Sequence, residues 1–355
     1  MEPNPLPNPR PRQLHESQGP LLIRADSSRD IGAGHALRCL ALAQAWVDLG
    51  GRVVWVHGEM LPWTRGRIAR ESIELVTLPP RLVPWSEDDA GFTRSLAEGL
   101  GSAWIIIDDY RLNETAHRRL AAGPARLLRL VDHETRPLMP GEWILNQNLT
   151  EEAPESQHAL LGTRYALLRR EFRTIDHRQQ VFPPVANRVL VTLGGSPEEH
   201  LVEFCASLFR DLARDEFPGL EVAFAGVDRL PSTPPPNDAL KAIGAVDDMV
   251  SWMNWADLAV CAGGSTCWEL CAARVPFLVM ILAENQRENA SRLDRAGCAV
   301  SLGEFAVADG PTWRARIRDL ILDPGRRSRL SRNAGELVDG AGASRVCERL
   351  RSLAG

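Results

Sequence analysis

At 355 residues the chain has the length of about two domains. Its net charge of −5 excludes the strongly basic footprint of a broad nucleic-acid binder. No uninterrupted apolar run approaches the roughly 18 residues of a membrane span, so no stable membrane insertion is expected.

Residues 1–20 are rich in proline and polar residues and lack the apolar centre of a secretory signal, so they read as a disordered arm. Leu21-Leu22-Ile23-Arg24 then reads as a strand, and Ala36 to Leu49 as a helix closed by Gly50-Gly51. Strands follow at Val53–Val56, Trp104–Ile107 and Leu127–Val131. A second cycle opens with the strand Arg188–Leu193 and a helix from about Glu198. Further strands read at Glu221–Ala225, Leu258–Cys261 and Phe277–Ile281, with a helix from Thr266 to Ala273. This alternation predicts an α/β protein of two Rossmann-like, doubly wound domains facing a cleft. The expected divisions are the arm 1–20, a first domain over 21–172 and a second over 186–355. The Pro-rich stretch 231–236 reads as a loop inside the second domain.

Seven cysteines (Cys39, Cys205, Cys261, Cys267, Cys271, Cys298 and Cys347) show an odd count and no paired spacing. They fit a reducing cytoplasm, which is the expected location. Cys267 and Cys271 stand one helical turn apart but lack the further ligands of a zinc site, so neither metal nor cofactor is expected.

In open parallel sheets, ligands sit at the carboxyl ends of strands. Four loops meet that condition: 26–35, 108–110, 194–196 and 263–265. In the first, Gly32-Ala33-Gly34 lets the backbone turn tightly, and His35 falls at a helix start, where the helix dipole disfavours imidazolium. A neutral His35 is suited to act as a base or to orient a water. Asp26 and Asp108 are the candidates to assist it, while Asp109 and Asp132, also at strand ends, read equally as helix caps. Arg38 lies one turn beyond His35. Gly263-Gly264-Ser265-Thr266 presents unpaired amides suited to a diphosphate, and Glu269 a carboxylate suited to ribose hydroxyls. Gly194-Gly195-Ser196 repeats the strand-to-glycine device. Asn285, Gln286 and Asn289, with Asn146 and Asn148, offer amides that match sugar hydroxyls and acetamido groups.

These motifs resemble the bacterial UDP-2,4-diacetamido-2,4,6-trideoxy-β-L-altropyranose hydrolases of pseudaminic acid biosynthesis. The likeness rests on Arg24-Ala25-Asp26-Ser27-Ser28, Ile31-Gly32-Ala33-Gly34-His35 and Arg38–Ala43. It continues through Tyr165–Arg169, Val191–Ser196, Ala262–Thr266 with Trp268-Glu269, and Ala283–Gln286. The resemblance implies a glycosyltransferase-B-like fold, with UDP held mainly by the second domain. It also implies metal-independent attack of water at the anomeric carbon, with inversion, releasing UDP and the free sugar. His35 stands at the family's catalytic histidine, and Asp108 and Tyr110 at its strand-end Asp and Tyr. The stretch Asp132-His133-Glu134 to Trp143 departs from the family pattern, and Asp109 stands where the family often has His. The expected partner is a UDP-sugar, and the expected state a monomer or weak oligomer. Two rivals stand beside the hydrolase: a glycosyltransferase of the same fold, and a non-catalytic nucleotide-sugar-binding module.

Overall fold

The computed structural model describes residues 19–132, 138–149, 158–175, 181–195, 197–231 and 239–354. Most of the expected N-terminal arm, Ser196, the divergent residues 133–137 and most of the Pro-rich stretch therefore lie outside the described residues.

The first sheet comprises β1 (Leu21–Ala25), β2 (Val53–His57), β3 (Ile73–Thr77), β4 (Trp104–Asp108), β5 (Arg126–Leu130), β6 (Glu142–Asn146) and β7 (Ala159–Leu161). Its strands run in the order β3-β2-β1-β4-β5-β6-β7, and every pairing is parallel. The second comprises β8 (Arg188–Thr192), β9 (Glu221–Ala225), β10 (Leu240–Ala242), β11 (Leu258–Ala262), β12 (Phe277–Ile281) and β13 (Val300–Glu304). It too is wholly parallel, in the order β10-β9-β8-β11-β12-β13. Helices cover both faces, which is why central strands such as Leu21–Ala25 and Leu258–Ala262 are buried at every position instead of alternating. All seven cysteines are free and buried.

The strand order sets the location of the site. It reverses between β1 and β4 in the first sheet and between β8 and β11 in the second. These are the switch points, where the connections on either side diverge and leave a crevice at the strand ends. The four loops singled out from the sequence follow these four strands.

The last helix departs from the expected division. Gly342–Ala354 leaves the second domain and packs on the helix Gly34–Asp48 of the first. Val346 and Leu350 stand one turn apart, so both meet the core that holds Leu40, Leu42 and Trp104. The Trp104 indole N–H donates to Leu350 O (3.1 Å) and Cys347 Sγ to Leu42 O (3.5 Å). Each fully buried aliphatic side chain contributes roughly 1.5–3 kcal/mol, so this strap ties the two halves together. Its entry point has no room for a side chain. A Cβ on Gly342 would lie 2.2 Å from Ala166 O and 2.6 Å from Ala166 N, both backbone atoms. Gly342→Ala is therefore expected to destabilise the protein by about 1–3 kcal/mol. Gly99→Ala, where a Cβ meets nothing within 4 Å, is expected to be neutral or stabilising by up to ~1 kcal/mol. Urea titrations of the two variants against the parent check both signs.

Candidate active site

His35 is the second residue of the helix Gly34–Asp48, directly after the turn at Gly32. Gly32 has φ +69°, a left-handed conformation that costs any residue with a Cβ, although the space around it is open. The turn aims the imidazole at the end of β4. There His35 Nδ1 lies 2.6 Å from Asp108 Oδ1. The carboxylate accepts the Nδ1 proton, which leaves Nε2 as the free lone pair. Asp108 is wholly buried and also accepts from Arg38, through Nε to Oδ2 and Nη2 to Oδ1 (2.7 Å). Arg38 reaches on to Asp132 Oδ1 through Nη1 (2.9 Å). The Tyr110 hydroxyl donates to Asp132, and its ring stands edge-on to the His35 ring at 4.7 Å. Asn148 Nδ2 also donates to Asp132 Oδ1 (3.3 Å).

The charge state of His35 differs from the expectation. A helix start alone favours the neutral ring. Burial also pushes the His35 pKa down, and Arg38 adds to that, but Asp108 pulls it up more strongly, with help from Asp109. The balance lies above the ordinary value of 6.5. A carboxylate at hydrogen-bond distance outweighs the partial charge of a helix end.

Asp26 is not an assistant to His35. Side chains two apart on a strand share a face, so Asp26 lies beside Arg24, both buried under the segment 84–89. Its carboxylate accepts from Arg24 Nη1 (2.6 Å), Trp85 Nε1 (2.8 Å), Gly58 N (2.8 Å) and Arg111 Nη2 (2.9 Å). Burial raises its pKa, but the Arg24 guanidinium and the backbone donors bring it below the ordinary carboxylate value. Asp26 anchors the start of the first loop from outside the cleft.

The cleft between the domains has a volume of about 710 Å³. Its first-domain wall includes Gly32, Gly34, His35, Arg38, Tyr110, Asp132 and Asn148. The opposite wall includes Gly194, Gly195, Gly263, Gly264, Ser265, Thr266, Glu269, Asn285 and Gln286. The four loops therefore meet around one cavity. Gly263 packs so closely that a Cβ would lie 2.9 Å from Gln286 Cβ. Gln286 Oε1 accepts from Gly263 N (3.2 Å) and Leu282 N (3.0 Å), which fixes the loop. The first bonds of the helix that follows run from Cys267 N to Gly264 O and from Trp268 N to Ser265 O. The amides of residues 264–266 precede them and have no intrahelical partner.

Two further expectations are corrected. Asn289 is buried behind the loop and donates to Gly263 O (3.2 Å), so it supports the turn and does not line the cleft. Asn146 likewise lies outside the lining, donating to Asp132 O (2.9 Å) and accepting from Asn148 N (2.9 Å). Both amides satisfy backbone groups that would otherwise be buried unpaired. Ser196 lies outside the described residues. Asn285 Nδ2 reaches Tyr110 Oη across the cleft at 3.4 Å. Arg67 and Arg169 also line the cavity; Arg67 was not singled out from the sequence, and Arg169 stood only as the end of the Tyr165–Arg169 motif, with no site role. Nothing in their local periodicity marks them, because their partners lie about 100 residues away. Among the described residues, no group of His, Cys, Asp and Glu is placed to hold a metal ion.

Residues 230–335 match the Glycosyltransferase family 28 C-terminal domain. This segment carries the Gly263–Thr266 loop, Glu269 and the 284–289 helix start. The chain is also similar to the UDP-N-acetylglucosamine–N-acetylmuramyl-(pentapeptide) pyrophosphoryl-undecaprenol N-acetylglucosamine transferase of Xylella fastidiosa strain Temecula1. The identity there is 37% over 109 residues, 29% of this chain and 30% of that protein. The Bacillus subtilis spore coat polysaccharide biosynthesis protein SpsG is 28% identical over 179 residues, 46% of this chain and 50% of that one. The chain thus spans from about a third to half of the length of these relatives. In three dimensions it superposes on Acinetobacter baumannii MurG with a TM-score of 0.64, covering 94% of this chain and 99% of that one at 16% identity. The two-domain arrangement is the glycosyltransferase-B fold.

The buried Asp108 carboxylate holds the His35 pKa up, so its removal has a signed consequence. If the neutral ring is the working base, turnover rises with pH through a midpoint above 6.5 in the parent. Asp108→Asn leaves burial and Arg38 opposed only by Asp109, so the limb moves to lower pH while turnover falls. A pH–rate profile of both proteins reads the two effects together.

Proposed function

We propose that the chain is a nucleotide-sugar enzyme that breaks the bond between an anomeric carbon and UDP. The observation that carries this reading is the placement of His35 Nε2 and the 264–266 amides on opposite walls of one cleft. A diphosphate against those amides meets donors that have no other partner among the described residues. Glu269, which lines the same wall, accepts hydrogen bonds from the ribose hydroxyls. The sugar then lies between the domains, with its anomeric carbon toward His35. Asn148 and Asn285 are two amides on the lining suited to its hydroxyl or acetamido groups.

The chemistry balances with one base. The nucleophile's O–H gives its proton to His35 Nε2 as its oxygen bonds to the anomeric carbon. The bond from that carbon to the phosphate oxygen breaks, and UDP leaves with the electron pair. Asp108 stabilises the imidazolium that forms. The loop amides take the growing charge on the leaving phosphate. General base catalysis supplies about 10²–10⁴-fold, and positioning by the cleft supplies much of the rest.

The nucleophile separates two readings. Transfer to an acceptor hydroxyl comes first, because the domain match and the Xylella relative are named for glycosyl transfer. Attack by water is the second. It is favoured by the burial of His35, 7% exposed beneath the edge of Tyr110, which suits a small nucleophile. The resemblance of the first loop to diacetamido-sugar hydrolases supports the same reading. Within it, a UDP-diacetamido-trideoxyhexose is the expected substrate and a surface-glycan precursor the expected product.

Incubation with UDP-N-acetylglucosamine and UDP-diacetamido-trideoxyhexoses, with and without acceptor alcohols, tests both readings. UDP and free sugar released without acceptor select hydrolysis, and acceptor-dependent release selects transfer. His35→Asn is expected to lower release by about 10²–10⁴-fold while UDP affinity changes little. Undiminished turnover in that variant removes His35 from the mechanism.

A further inference from the structure

An alternating chain of four charges crosses the cleft beside the nucleotide wall. Arg67, on the helix Pro62–Ala69 of the first domain, donates through Nη2 to Glu171 Oε1 (2.6 Å). The same Glu171 oxygen pairs with Arg169 Nη1 (2.8 Å). Arg169 then donates through Nη2 to Glu269 Oε1 (2.8 Å). Arg67 also reaches Asp247 O (2.9 Å) in the second domain. The Arg169 side chain is only 4% exposed and that of Glu269 13%, so water screens this pair weakly. Residues 169–171 belong to the segment that leads from the first sheet to the second.

We infer that Arg169 is a positioning residue for Glu269, and that the Arg67–Glu171–Arg169–Glu269 relay makes recognition of a vicinal diol depend on the closed cleft. The inference rests on the nucleotide reading above and adds a specificity determinant to it. A lone glutamate rotates about three side-chain torsions. Arg169 holds Oε1 of Glu269, which restricts those torsions and leaves Oε2 for a ligand in the cavity that both residues line. Two adjacent hydroxyls, as on a ribose, match a carboxylate fixed in this way. A 2′-deoxyribose offers only one of them. Because Glu171 is held in turn by Arg67, which also reaches Asp247 O of the second domain, opening the cleft loosens the support of Glu269. The diol is thereby read most strictly when both domains are engaged.

Calorimetric titration of the full chain with UDP and with 2′-deoxy-UDP separates the outcomes. If the parent does not bind UDP, the nucleotide reading itself fails. If it binds, UDP should be preferred over the deoxy form by about tenfold, the effect of one hydrogen bond to a charged group. Arg169→Gln should then lose about tenfold for UDP and under about threefold for the deoxy form. Added to Glu269→Gln, it should cost little more than Glu269→Gln alone, because both changes remove one interaction. Arg67→Gln should give a smaller loss, again selective for UDP. Equal losses for the two nucleotides in Arg169→Gln, or full additivity with Glu269→Gln, would overturn the inference. Should Arg169→Gln fail to fold, Arg67→Gln decides alone: a UDP-selective loss supports the relay, and an unselective loss or none refutes it.

Discussion

The buried carboxylate of Asp108 is the constraint on which the site depends. An ionised carboxylate without solvent is costly by several kcal/mol unless its oxygens are paired. Here His35 and Arg38 pair them, and both come from one turn of one helix. Burial raises the Asp108 pKa, but Arg38 and His35 bring it below the ordinary value, so it stays charged at neutral pH. The pairing fixes the His35 tautomer, turns Nε2 outward and docks the helix start against β4. A single interaction thereby links core packing to the chemistry of the cleft.

The second wall is built on another principle. Its donors are backbone amides, and side chains behind the loop hold them in place. Gln286 and Asn289 clamp Gly263 from either side of the peptide, through its N–H and its carbonyl. The close approach of Gln286 requires glycine at that position. The contacts that join the two walls include the C-terminal strap on the first core, the Tyr110–Asn285 contact, the Arg67–Asp247 bond and the Arg169–Glu269 pair. His35 and the amide loop are thus set relative to each other by contacts distant in sequence.

These differences explain what the sequence makes legible. Local signals carry the sheets. The runs Leu21–Ile23, Val189–Val191 and Leu258–Cys261 are apolar because both faces of their strands are covered. The glycine turns identify the site loops for a similar reason, since left-handed or crowded backbone restricts the residue type itself. Amide and carboxylate side chains carry no such mark. Asn289 and Asn148 are the same residue type in polar segments, yet one braces a carbonyl and the other faces the cavity. Asp26 and Asp108 both end strands, and only the strand-mate Arg24 directs the first into a structural ion pair. The cleft role of Arg169 and the returning helix Gly342–Ala354 are not legible because their partners are set by tertiary packing.

The most direct test of the account is the position of UDP bound to this protein. A crystal structure of the complex should place the diphosphate on the amides of residues 264–266, the ribose at Glu269 and the open end of the phosphate toward His35 Nε2. UDP bound elsewhere, or with its phosphates directed away from His35, would contradict the assignment of the two walls to one reaction.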